Sequence, residues 1–300
     1  MLNQLRSWLE RGMLPFVVSL SVMALLLGHA AGWNLEMVVL ALSVGSLLVA
    51  FALEHAIPFS TDWNRARDDF NTDATSTVIL LGLVDPLLKY AAPIAVVALY
   101  RSLAWPADAA RWPNLPFLVN VGAALLLVEF GRYWAHRWHH ASPSLWWLHA
   151  LHHSSTRLYA FNNFRYHPLN YAINFCLGSL PLMLLGVPAD VLLGVLALTQ
   201  PVLMLQHANL NLKSGWLNWV FSSNEVHRWH HSAADHEANC NFGSALVLWD
   251  HEFGTYRAAP TADNQPQRIG LFAQSGHYPA QASYFAQLRS MFQPDCCKAA

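Results

Sequence analysis

Five apolar runs dominate this 300-residue chain, and their lengths constrain the fold before any motif is read: Leu14–Ala30, Leu35–Ile57, Thr77–Ala104, Leu115–Ala135 and Leu169–Gln206. A helix that crosses a bilayer needs about 20 predominantly apolar residues. Charged residues make up only 12% of the chain, against roughly 25% in ordinary soluble domains. The expected fold is therefore an all-α integral membrane protein of about four to six passes or hairpins, topped by a cytosolic, histidine-rich helical cap.

The first two runs are joined through Trp33-Asn34 and form a hairpin. No small-residue cleavage site separates the first run from a hydrophilic mature chain, so it reads as a retained helix. Thr77–Ala104 is too long for one straight helix and carries Asp85, Pro86 and Lys89. It reads either as one pass kinked at Pro86 or as an interfacial helix followed by a pass. Leu115–Ala135 changes character at Glu129, Arg132 and Tyr133, and Leu169–Gln206, broken at Gly186–Asp190, reads as a hairpin whose two arms just cross.

Orientation follows from lysine and arginine. With Arg6 and Arg11 inside, four crossings return the chain before His136, and Arg137, Arg157, Arg165, Lys213 and Arg228 fall on that same side; Arg101 and Arg111 oppose it. The N-terminus and the histidines are thus expected in the cytosol, at a bacterial inner membrane. A net charge of -1 provides no basic field for nucleic acid. The four cysteines include no CxxC spacing, and the adjacent Cys296 and Cys297 are expected as separate reduced thiols.

The unusual residue is histidine, 16 copies against 17 Lys plus Arg. All but His29 and His55 lie at or beyond His136. His136 and His140 form an HxxxH pair; His149, His152 and His153, then His227, His230 and His231, form two HxxHH boxes. Helical residues at i, i+3 and i+4 share a face, so each cluster is expected to aim its imidazoles at one point. Neutral imidazole suits zinc, copper, iron and nickel. One tetrahedral zinc takes four ligands, so eight converging histidines ask for two ions of higher coordination number. Isolated histidines such as His29, His55 and His277 read as packing or surface residues, and His139 as packing or support. HExxH, GxGxxG and Walker sequences are absent.

The boxes, in this order and with hydrophobic hairpins between them, resemble the fatty acid hydroxylase / sterol desaturase superfamily of membrane di-iron enzymes. The resemblance runs from about Val128 to Tyr256 and includes Glu129, His136, His149-Ala-Leu-His152-His153, His167-Pro168, Gln206-His207, His227-Arg-Trp-His230-His231, Asn241-Phe-Gly243 and Trp249-Asp250. It implies a ninth ligand, His207, with Asn211 standing one helical turn later as a further group, direct or through water. It places Glu129 where the family often has Asp, as an acceptor orienting His136 or a nearby ligand; the competing reading is a glutamate reaching to the membrane interface. The chain then divides into an N-terminal transmembrane region (1–114), a hydroxylase-like catalytic domain (115–260) and a C-terminal tail (261–300). The implied activity is O2-dependent hydroxylation, or desaturation, of a lipid C–H bond at two irons, with zinc as a substitute. Trp146, Trp147 and Phe161 are candidate walls for the lipid chain. With no flavin or haem domain in the sequence, electrons are expected from a separate ferredoxin- or cytochrome-type protein. Two other readings are a zinc-loaded lipid hydrolase of the same fold and a non-enzymatic membrane metal-binding protein.

Overall fold

The computed structural model describes residues 2–65, 67–105, 112–261, 264–293 and 296–297, and among these it is built from helices with no strand ladder. Five helices are long and apolar enough to cross a membrane, as the apolar runs require. The first two, α1 (Leu2–Ala31) and α2 (Leu35–Ala56), are joined by a tight turn at Gly32, and Asn34 caps α2 by accepting from the Met37 amide.

The third span begins earlier than its apolar run. Helix α3 (Phe70–Ile79) starts inside the polar stretch, passes through a π-helical turn at Leu80–Val84, and continues as α4 (Asp85–Ser102). The irregularity therefore lies before Pro86 rather than as a kink within a straight helix. Pro86 has no N–H for the preceding turn, and the wider turn accommodates that loss at the start of α4. Arg111 lies outside the described residues.

Helix α5 (Phe117–Ala141) is the fourth span and runs on past the apolar region to carry His136 and His140 in its last turns. The short α6 (Pro143–His153) follows immediately, with Pro143 at its first position. The expected hairpin over Leu169–Gln206 is asymmetric. Its outgoing arm is divided at Ser179 into α7 (Pro168–Gly178) and α8 (Leu180–Leu184), and after the turn at Gly186 the return arm is one helix, α9 (Ala189–Gln206). Only the return arm qualifies as a span among the described residues. Beyond it lie α10 (Asn224–His230), α11 (Asp235–Ala238), α12 (Leu248–Glu252) and α13 (Tyr284–Arg289).

Contacts at the two ends of the bundle fix the direction of each helix. At one end His29 stacks on Phe117 and the Tyr100 hydroxyl donates to the Leu184 carbonyl. At the other, Glu10 meets Lys213, Glu54 accepts from the Ala160 and Asn209 amides, and Asp73 pairs with Arg165. The beginning of α1 and the ends of α5 and α9 therefore share one face of the bundle. An apolar core of Leu25, Leu42, Val121, Ala124, Val128, Val191 and Val195 packs α1, α2, α5 and α9 together beneath it.

Segment 261–300, expected as a tail, is part of this face in its described residues. The Gly270 amide donates to the His231 carbonyl at 3.0 Å, and Trp147 Nε1 donates to Ser290 Oγ at 2.9 Å. The adjacent Cys296 and Cys297 lie side by side at the end of this segment, with Cys297 at a positive φ.

Helices α5 and α7 cross at Gly131, where a Cβ would lie 1.9 Å from the Leu177 carbonyl oxygen. That neighbour is backbone, so relief requires moving a helix. Gly131→Ala is expected to destabilise the protein in detergent by about 1–3 kcal/mol or more, read as a lowered midpoint of thermal unfolding. An unchanged midpoint would show that the crossing is looser than drawn.

Candidate metal centre

Nine buried or half-buried histidines meet at the shared face in two groups. His136, His140, His149, His153 and His230 form one; His152, His207, His227 and His231 form the other, and within each group the ligand atoms lie within 4.8 Å of one another. Each HxxHH box is divided between the groups rather than aimed at one point. On α6 the i and i+4 residues, His149 and His153, serve the five-histidine group while His152 turns to the other. On α10 the assignment is exchanged: His227 and His231 serve the four-histidine group and His230 the first. His207 joins as the residue that ends α9.

The imidazoles are oriented by acceptors on their far side. Nδ1 of His136 faces the Phe242 carbonyl at 2.9 Å, that of His152 the Arg165 carbonyl at 3.1 Å, and that of His230 the Cys240 carbonyl at 3.0 Å. Asparagine amide oxygens take three others: Asn239 for His140, Asn170 for His149 and Asn162 for His207. These oxygens can only accept, so the proton of each ring sits on Nδ1 and Nε2 presents a bare lone pair. Asn170 is itself oriented by His139, whose Nε2 accepts from the amide nitrogen while its Nδ1 donates to Ala135. His139 thus acts through Asn170, and His167 caps α7 by accepting from the Leu169 amide.

The consequence is a set of lone pairs that face one another. Nε2 of His136 and His149 are 3.1 Å apart, and His153 Nε2 lies 3.2 Å from those of both His149 and His230. In the second group His227 Nε2 lies 3.1 Å from that of His207 and 3.0 Å from that of His231. Two rings both protonated at Nδ1 cannot hydrogen-bond through Nε2, so His136 and His149 repel unless a cation lies between them. His140 Nε2 is buried with no hydrogen-bond partner, which fits the same role. Two nitrogens bound at about 2.1 Å to one ion sit about 3.0 Å apart at a right angle and about 3.4 Å apart at the tetrahedral angle. The observed spacings of 3.0–3.2 Å lie toward the right-angle value. The donors in each group are therefore close enough to converge on a metal ion.

Burial keeps these rings neutral. It drives His149, His152, His153, His227, His230 and His231 well below the usual histidine range, with neighbouring histidines adding to the effect. His207 is held down at about 3 by burial, then by His136.

Two expected participants lie elsewhere. Because α9 ends at Gln206, Asn211 is not one helical turn beyond His207, and its amide donates to Glu10 at 2.9 Å. Glu129 is fully buried but does not touch a histidine. It accepts from the Ala245 and Leu246 amides, both at 2.8 Å, and so holds the loop beside Phe242 rather than a ring or the membrane interface.

A cavity of about 200 Å³ runs from His136, His149 and His227 between the π-helical turn at Leu80–Val84 and helices α5, α7 and α9, with Leu80, Leu81, Phe175, Leu203 and Met204 on its walls. The aromatic walls expected from sequence are placed differently. Trp146 stacks on Phe272 at 4.3 Å, Trp147 lies in the core under the C-terminal segment, and Phe161 packs on Phe51 and Phe70.

The fatty acid hydroxylase family model matches residues 121–255. Ornithine lipid hydroxylase OlsE of Rhizobium tropici is 36% identical over 227 residues, 73% of this chain and 66% of that protein. The chain belongs to the fatty acid hydroxylase superfamily. The chain spans about two thirds of that relative's length, and no solved structure matches it. The superfamily match covers eight of the nine clustered imidazoles by their boxes and His207 between them, but stops before Ile269–Phe272. Sequence reasoning missed Asn162, Asn170 and Asn239. The one available signal was the position of Asn170, three residues after His167 and just inside a membrane-bound hairpin.

Two outcomes test the centre. His207→Ala is expected to lower bound metal from about two ions per chain to about one, since it removes a ligand from the four-histidine group alone; Asn162→Leu, which frees the ring without removing it, is expected to weaken metal binding about 10–100-fold. Elemental analysis after dialysis against a chelator reads both, and full retention in both variants would place His207 outside the centre. Acid supplies the second. Native His207 stays neutral down to about 3, whereas an unfolded histidine takes up a proton below 6.5. Stability from such groups is complete above pH 6.5 and falls as pH drops from 6.5 toward 3. Thermal midpoints of metal-free protein across that range should decline on acidification and stay level above it.

Proposed function

We propose that the protein is a membrane-embedded oxygenase that hydroxylates a lipid C–H bond, holding two iron ions in its two histidine groups and using O2 as co-substrate. The observation that carries this reading is the convergence of imidazole Nε2 atoms at 3.0–3.2 Å in two adjacent groups beside a cavity among membrane helices, with His136 and His149 both protonated on Nδ1. Bound there, the irons supply the activation of O2 that an unactivated C–H bond requires. The five-histidine group offers His136, His140, His149, His153 and His230, and the four-histidine group His152, His207, His227 and His231. A group of four histidines leaves room for a further ligand on an ion of higher coordination number.

The protein's own residues do the rest. Asn162, Asn170 and Asn239, with the carbonyls of Phe242, Arg165 and Cys240, hold six of the nine rings in the tautomer that exposes Nε2. The cavity walls admit an apolar chain from the bilayer side and bring it alongside His136 and His149. Burial of the rings keeps bulk water from the reacting carbon. The five-histidine group offers one ligand more than a tetrahedral zinc takes, which supports iron, and zinc remains a substitute on affinity grounds. Hydroxylation is preferred to desaturation because both comparisons carry that chemistry. The first substrate to try is an ornithine lipid, the class named for the bacterial relative.

Arg6, Arg11, Arg137, Arg157 and Lys213 lie toward the face that bears the histidines, so we place that face in the cytosol of a bacterial cell. The reading also requires a separate ferredoxin- or cytochrome-type electron donor on that side. The test is expression of the protein in cells that make ornithine lipids, under 18O2, with mass spectrometry of the extracted lipids. One 18O atom per modified lipid is expected with the wild type and none with His149→Ala. Lipids left unmodified by a protein shown to carry two irons, or label drawn from water instead, would count against the proposal.

A further inference from the structure

We propose that Arg132 anchors a carboxylate of the substrate in the cavity beside the metal centre, so that the oxidised carbon lies near a charged end of the lipid. This rests on the hydroxylase reading above and specifies its substrate. Arg132 lines the cavity together with His136 and His149. It stands one helical turn before His136 on α5, so the two side chains share a face about 5–6 Å apart at Cβ. Its side chain is 19% exposed, and the Glu129 carboxylate is 4.0 Å away, at the outer limit of an ion pair and beyond hydrogen-bond reach.

Glu129 does not answer the arginine fully. It spends Oε2 on the Ala245 and Leu246 amides, and its Oε1 is buried with no hydrogen-bond partner. The guanidinium, with five N–H donors, makes no hydrogen bond with another described residue. A largely buried cation with so many unmet donors is costly, and an acceptor arriving in the cavity relieves it.

The site around Arg132 is built to keep it there. Gly178 on α7 lies against its stem: a Cβ at that position would sit 2.9 Å from Cγ and 3.3 Å from Nε. Asn163, Asn174 and Gln200 add neutral polar groups to the same lining, and no carboxylate residue is among the lining residues described. Among the described lining residues the one full charge is therefore that of Arg132, which suits an anion. Arginine meets a carboxylate through two parallel N–H bonds, which fixes orientation as well as position. An apolar chain then extends along Leu81, Phe175 and Leu203 toward the bilayer.

The chemistry recognised is a carboxylate carried by an acyl chain, from either a free fatty acid or an acyl amino acid headgroup. The experiment measures equilibrium binding of palmitic acid, its methyl ester and N-palmitoylglycine to the full-length, metal-loaded protein in detergent at pH 8, without reductant. The wild type is expected to bind the acids at least tenfold more tightly than the ester. Arg132→Gln should abolish that preference and Arg132→Lys should retain part of it, both with unchanged metal content. Gly178→Ala, which leaves the charge but crowds its stem, should weaken acid binding more than ester binding. Tighter binding of N-palmitoylglycine than of palmitic acid supports a headgroup carboxylate, and the reverse supports a free acid. Equal affinity of wild type for acid and ester, or an undiminished preference in Arg132→Gln, overturns the proposal. Because binding is read without turnover, a preference for acids in a protein that hydroxylates no lipid would retain the anchor while removing the hydroxylase reading.

Discussion

The fold is organised around imidazole lone pairs that repel one another. His136 and His149 each give their proton to an oxygen behind them and confront each other with bare nitrogens 3.1 Å apart. Such an arrangement persists only if the rings are held from behind and a cation is held in front. The first requirement explains much of the surrounding polar structure. Phe242 presents its carbonyl to His136 because Asp250 binds the Phe242 and Gly243 amides at 2.7 and 2.8 Å. Gly243 is needed there, since a Cβ would lie 2.0 Å from the Leu246 carbonyl oxygen. Arg165 presents its carbonyl to His152 while its guanidinium binds Asp73, the Leu151 carbonyl and Ser154.

The membrane helices supply the rear anchors through carboxylates at their ends. Glu54 of α2 takes the Ala160 and Asn209 amides, which flank the Asn162 and His207 that meet across the site. Asp73 of α3 holds Arg165, and Glu129 of α5 holds the loop at Ala245. Glu10 of α1 holds Lys213 and Asn211 beyond α9. Carboxylates are costly at the edge of a bilayer unless each has donors, and here backbone amides and arginines provide them. The Asp73–Arg165 pair is almost fully buried on both sides. Removing one partner of such a pair costs about 3–5 kcal/mol, so the bundle and the cap are bound as one unit at the point where His152 is positioned.

What was legible in the sequence was local. Helical spans follow from apolar length, and the i, i+4 pairs His136/His140, His149/His153 and His227/His231 each converge as their spacing requires. The division of each box was not legible. His152 and His230 sit at i+3, about 100° around the helix from their i+4 neighbours, and the ion each serves depends on the direction from which α6 meets α10. That is a long-range property. Asn211 failed for a related reason: its assignment assumed that α9 continues past His207, whereas the helix ends there and the chain turns to meet Glu10. Glu129, expected to orient His136 or a nearby ligand, accepts instead from the Ala245 and Leu246 amides, and only the fold shows that this loop returns to it. The aromatic walls failed because Trp146, Trp147 and Phe161 follow or flank the boxes in sequence yet face away from the cavity.

The C-terminal segment gives the centre its closed side. It lies beyond the part of the chain that the superfamily model matches, yet Gly270 binds the His231 carbonyl and Ile269 pairs with Ser232. Phe272 stacks on Trp146 at 4.3 Å with the planes 3° apart, and Trp146 in turn lies 5.0 Å from His140 and 5.2 Å from His153 between ring centroids. The Trp146 indole is fixed by its hydrogen bond to Ser275. These aromatics cover the five-histidine group on the face opposite the cavity at Leu80, Phe175 and Met204. In the proposed oxygenase, an oxidant strong enough to attack a C–H bond would attack other groups that reached it, so closure around the centre would matter as much as substrate access. Two different parts of the chain thus bound one histidine cluster: the cavity among membrane helices at His136 and His149, and the packed aromatics Trp146 and Phe272 at His140 and His153.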